Sequence, residues 1–101
     1  MTKPIQAVLK ERGQRYGEFR SHADVTQMLK SNMQLFKKDP SGARFAWSDL
    51  MPDQKEALEM IAHKIGRILN GDPDYIDSWI DIAGYAQLVV NRLVEDADKD
   101  K

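Results

Sequence analysis

Asp74, Asp77, Asp81 and Tyr85 follow one another at intervals of three, four and four residues within Asp72-Pro-Asp-Tyr-Ile-Asp-Ser-Trp-Ile-Asp-Ile-Ala-Gly-Tyr85. At about 100° per residue, those intervals set three carboxylates and a phenol on neighbouring turns of one helix face. Carboxylate oxygens suit a hard cation. Magnesium held this way neutralises phosphate charge and makes bound water a better nucleophile, which is the chemistry of cutting a phosphoanhydride. Lys64 and Arg67, on the helix expected to precede this one, are positioned to balance phosphate charge, Arg67 with a two-pronged contact. Their plainer reading is solvation with buried stems.

Each of these residues has a structural explanation to overcome. A carboxylate in the first turn of a helix gains about 0.3–1 kcal/mol from the helix dipole without any ligand, and this accounts for Asp74. Asp81 lies some two turns in, where that effect has faded, so the metal reading rests most heavily on it. Gly84 costs about 1 kcal/mol relative to alanine inside a helix and marks close approach by a neighbouring helix or a ligand. Gly66 is a similar contact point. Tyr85 either donates to a phosphate or hydrogen-bonds within the fold. A second acidic pair, Glu56 and Glu59, points largely away from the apolar side of its helix and reads by spacing as an exposed face.

Four helices must position these groups. The first spans Ile5 to Arg12, with Pro4 in its first turn. Arg12 to Phe19, carrying Gly13 and Gly17, then forms an ordered connection in which Tyr16 or Phe19 is partly buried. Ser21 caps a second helix that reaches about Lys38 and presents Val25, Met28, Leu29, Met33 and Phe36 on one side. Asp39-Pro-Ser-Gly42 stops it, and a loop follows whose Phe45 and Trp47 cover the core or, less simply, stack on a ligand. The third helix starts near Ser48 to Pro52 and ends at Asn70-Gly71, with Leu58, Ile61, Ile65 and Ile68 as its stripe. The fourth runs from about Pro73 to Glu95. Its apolar face is wider than one neighbour needs, so two neighbours or a dimer partner would use it. No segment alternates with strand period, and the fold class is an all-α, compact bundle of about four helices.

Composition narrows the function classes. The 101 residues fit a single domain, taken as 1–95 with a charged flexible tail at 96–101. Fifteen basic and 16 acidic residues nearly cancel, so neither a general nucleic-acid surface nor an acidic mimic of one is indicated. The absence of cysteine removes disulfides and thiolate chemistry, and fits a reducing, cytoplasmic setting. The only imidazoles, His22 and His63, lack zinc-binding spacing, and a shared site would depend on tertiary contact. No apolar run approaches the roughly 18 residues that span a bilayer.

Lys64-Ile-Gly-Arg-Ile-Leu-Asn-Gly71 followed by Asp77-Ser-Trp-Ile-Asp-Ile-Ala-Gly-Tyr85, with Arg15-Tyr-Gly-Glu-Phe19 before them, resembles small phage proteins of uncharacterised function over most of the chain. The same order of segments is remotely similar to nucleotide-modification-associated domains and to MazG-type all-α nucleotide pyrophosphohydrolases. Those enzymes hold magnesium with a Glu-x-x-Glu pair on one helix and a Glu-x-x-Asp pair on a later one, and work as dimers or higher oligomers. Carried over residue by residue, the resemblance implies Glu56 and Glu59 for the first pair and Asp81 for the last carboxylate. Asp77 stands one position from the expected Glu, which is replaced by Ser78. It further implies Glu59 and Asp81 as catalytic groups, Asp77, Asp81, Glu56 and Glu59 as magnesium ligands, and a MazG-like, oligomeric core. The expected function is nucleotide binding by Lys64, Arg67 and Tyr85, with hydrolysis to a monophosphate and pyrophosphate. The alternative is a non-enzymatic phage factor that binds or inhibits a host or defence protein through the last helix and the Phe45/Trp47 loop.

Overall fold

The structure, a computed structural model, describes residues 4–35, 40–41 and 46–99. Among these residues it has no strands. It contains α1 (Ile5–Tyr16), α2 (Phe19–Leu35), a short 3-10 turn (Trp47–Asp49), α3 (Pro52–Asn70) and α4 (Ile76–Lys99). Helix α3 is the central element, packed against α2 on one side and α4 on the other, with α1 across its C-terminal end. The bundle is elongated, 51 × 32 × 23 Å. No described helix is long and apolar enough to cross a membrane.

The limits of α3 follow from its ends. Pro52 occupies the first turn, where its missing N–H costs nothing, and the Gln54 side chain accepts the Met51 N–H at 2.9 Å. Gly71 closes the helix by donating to the Arg67 carbonyl. Because α3 has neighbours on both flanks, its buried positions are Ala57, Ala62, Lys64 and Gly66 rather than the single expected stripe. Ile61, Ile65 and Ile68 are half-buried and Leu58 is exposed.

Several boundaries differ from the sequence expectation. One interior glycine costs only about 1 kcal/mol, and α1 continues through Gly13 to Tyr16. It stops at Gly17, whose φ of 79° lies in the left-handed region and whose Cα approaches the Asn70 backbone and side chain so closely that no Cβ fits. Ser21 lies inside α2, which begins two residues earlier. Helix α4 begins at Ile76 because Asp72 organises a turn ahead of it, accepting the Asp74 N–H on its carboxylate at 2.9 Å. Asp74 is therefore off the helix face shared by Asp77, Asp81 and Tyr85. At its other end α4 continues to Lys99, supported by Arg92–Asp96 and Lys99–Glu95 pairs one turn apart. Phe36, Phe45 and the Asp39 and Gly42 stop signals lie outside the described residues.

The two interior glycines behave oppositely. Gly66 is buried where α2 crosses α3, and a Cβ there would collide with Thr26 Oγ1 and press on the His22 ring. Gly84 has nothing within 4 Å of where its Cβ would stand, so among the described residues no helix makes the expected close approach.

Candidate functional site

The α1–α2 corner rests on the C-terminal end of α3. Asn70 Nδ2 donates to the Tyr16 carbonyl at 3.0 Å and to the Glu18 carbonyl at 2.9 Å, and the Asp72 N–H donates to the Arg15 carbonyl at 2.7 Å. This clasp orders a stack of cations and rings. The Arg67 guanidinium lies 4.2 Å from the Tyr16 ring centre, Tyr16 stacks on Tyr75 at 6.0 Å, and Arg15 lies 4.5 Å from the Tyr75 centre. Tyr75 Oη donates to Asp77 Oδ2 at 2.9 Å, which pushes the phenol pKa upward.

Beside this stack opens a cleft of about 580 Å³. Its chemistry comes from Arg12, Arg67, His22 and His63, with Glu18 at its edge and Phe19 and Leu9 as apolar wall. Tyr16 is half-buried, whereas Phe19 is 78% exposed. His22 Nε2 and His63 Nδ1 are 3.3 Å apart with their rings perpendicular, so in the neutral pair one ring donates and the other accepts. Burial, then the neighbouring Arg67 and His22, lowers the His63 pKa to about 4. Burial also lowers that of His22, whose Nδ1 is buried without a hydrogen-bond partner, as is Thr26 Oγ1.

The acidic candidates fall elsewhere. Lys64 Nζ, almost fully buried, reaches Asp81 Oδ2 at 3.0 Å, and Tyr85 lines one shallow groove with Asp81 and another with Glu56. Glu56 is exposed and Glu59 half-buried. Among the described residues no three His, Asp or Glu side chains gather into a group able to hold a metal ion. Asp81 is engaged by the Lys64 ammonium and Asp77 by the Tyr75 phenol. Lys64 and Asp81 are thus brought together by the fold, but with each other. Arg67 is placed in the cleft instead, away from that pair.

The sequence does not single out Arg12, and it offers His22 and His63 only as a pair that tertiary contact would have to bring together. The available signals were indirect: two glycines bracketing Tyr16, and Gly66 one turn after His63, marking where α2 comes close. The profile of the domain of unknown function DUF6378 matches residues 1–93. The chain belongs to the DUF6378 family. That match takes in all of α1, α2 and α3, and so every residue of the cleft. No curated protein and no solved structure matches the chain.

Proposed function

We propose that this DUF6378 protein binds a nucleotide in the cleft between α1, α2 and α3. The observation that carries the reading is the meeting of two guanidinium groups and an exposed aromatic ring in one concavity, of the roughly 300–1,000 Å³ size that suits a small ligand. Arg12 and Arg67 take the phosphates by charge-assisted hydrogen bonds. Tyr16 is already engaged by Arg67 and Tyr75, so the base stacks on Phe19.

The finer reading, a phage protein with MazG-like, magnesium-dependent pyrophosphohydrolysis through Asp77, Asp81, Glu56 and Glu59, has the sequence resemblance as its support. The Lys64–Asp81 pair favours binding without turnover by the single chain. A thermal-shift screen of nucleoside mono-, di- and triphosphates, with and without magnesium, tests both. Ligand at a hundred times its Kd adds about 2.7 kcal/mol, or roughly ten degrees or more in Tm for a domain of this size. Arg67→Gln should weaken binding at least tenfold, the loss of about 1.5–3 kcal/mol expected for one charge-assisted bond. No shift with any nucleotide would overturn the reading. A shift that needs magnesium and is lost in Asp81→Asn would restore the metal assignment, and product analysis for pyrophosphate would then decide turnover.

A second reading, a protein that acts by binding a host or defence protein, is favoured by one observation, the exposed apolar face of α4.

A further inference from the structure

Helix α4 has two faces of different character. Its inner face turns to α3, where Lys64–Asp81 and the Arg92–Asp53 pair, two hydrogen bonds at 2.8 and 2.9 Å, fix the antiparallel alignment. Its outer side carries Ile76, Trp79, Ala83, Ala86, Val90 and Leu93 at alternating spacings of three and four, the spacing by which one helix meets another along a seam, with Ala86 at the α3 edge, where it also lines a groove with Ala57, Leu58 and Ile61. None of the six is charged. Its four large side chains are between 45% and 67% exposed, and both alanines are exposed. Beside the seam, Ile80, Gly84 and Leu88 line an open groove of about 400 Å³.

We propose that this outer face of α4 is the interface between two copies of the chain. The first argument is the chain's own core. Among the described residues only Ala57 and Ala62 are buried hydrophobic side chains, and no large side chain is fully buried. Among the described residues the rest of the apolar set, Leu29, Met33, Ile61 and Ile65 included, is only half-buried, a thin return against the entropy of ordering a chain of this length. The second is area: the surface is 7734 Å², where a compact monomer of 11.6 kDa would expose roughly 5,800 Å². The excess of about 1,900 Å² falls within the roughly 1,000–2,500 Å² that each partner of an obligate homodimer buries. The third is shape, since the radius of gyration is 17.1 Å against about 13 Å for a compact domain of this length. A second copy suits the seam because its centre is small, Ala83 and Ala86, and its flanks are large. Two such helices crossing about a two-fold axis approach closely in the middle and interdigitate on either side, with no like charges brought together.

The chain has no cysteine, so a single introduced thiol reports this contact alone. Light scattering on the purified protein should give twice the 11.6 kDa chain mass. Ala83→Glu and Val90→Glu should each reduce it to the monomer mass, while Met28→Glu on exposed α2 should not. Should the glutamate variants lose helicity, the cysteine series decides. Among Ala83→Cys, Ala86→Cys and Val90→Cys, at least one, the position nearest the two-fold axis, should form a disulfide-linked dimer on mild oxidation, and Ser31→Cys should not. A monomeric wild type at 100 µM, or a dimer whose thiols fail to cross-link at all three seam positions, would overturn the proposal. A monomer would return the face to the second reading given above. Neither result bears on nucleotide binding, which is read separately by thermal shift.

Discussion

His22 and His63 are 41 residues apart in the chain and 3.3 Å apart in space. Nothing in their spacing announces this, because the contact is made by α2 crossing α3 at Gly66. The crossing makes Gly66→Ala a sharp test. Its methyl group would have to displace Thr26 and press on His22, overpacking of the kind that costs typically 1–3 kcal/mol, measurable by urea unfolding. The histidines also give the molecule an acid-sensitive point. With a native pKa of about 4 against an ordinary 6.5, His63 stays neutral in the fold where the unfolded chain would protonate it. Its contribution to stability is therefore complete above about pH 6.5 and is lost as the pH falls toward 4. Urea midpoints at pH 7.5, 5.5 and 4.5 should decline in that order. Proton NMR of the imidazoles should show His63 titrating near 4, and a midpoint near 6.5 would contradict the packing described for it.

At the scale of elements, the sequence was most legible where chain punctuation and packing agree. Pro52 and Gly71 bound α3 in the structure, although Gly71, at φ -133°, is not left-handed and is instead required by the Arg15 and Tyr16 backbone packed against it. It was less legible ahead of α4, where Pro73 looked like a first-turn residue but the Asp72 carboxylate captured the Asp74 N–H and delayed the helix to Ile76. That local hydrogen bond removes Asp74 from the carboxylate face. Lys64 reads in the sequence as a phosphate contact or a solvated side chain with a buried stem, because periodicity alone cannot show that two helices flank α3. The tertiary fold buries it and gives it Asp81 as partner. Gly13 offers an element-level prediction. It lies inside α1 with nothing within 4 Å of a new Cβ, so Gly13→Ala should stabilise the protein by about 0.5–1 kcal/mol, read as a higher urea midpoint at unchanged slope.

For the whole molecule, the all-helical class was legible from periodicity, but the sparseness of the core was not. Counting apolar residues overstates burial when much of the apolar surface of α4 faces outward. The broad face was visible in the sequence; which side of it α3 leaves uncovered required the Asp53–Arg92 and Lys64–Asp81 contacts. If folding is completed by a second copy, Tm should rise with protein concentration, since association stabilises by mass action. Calorimetry from about 5 to 500 µM should show a steady upward drift, and a constant Tm would indicate a self-sufficient single chain.

The clasp at the end of α3 also bears on how the protein ages. Asn70 precedes Gly71, the pairing in which a backbone nitrogen most easily attacks the side-chain amide and turns asparagine into aspartate. Here the Gly71 N–H is held by the Arg67 carbonyl and both amide hydrogens of Asn70 are occupied, so the folded protein shelters its own weak point. Conversion would gain about one dalton and set a carboxylate against the Tyr16 and Glu18 carbonyls, replacing two attractions with acceptor facing acceptor. Asn70→Asp should accordingly loosen the α1–α2 corner and the cleft beside it. In stored samples, mass spectrometry should find the altered residue accumulating faster in mild denaturant than in native buffer.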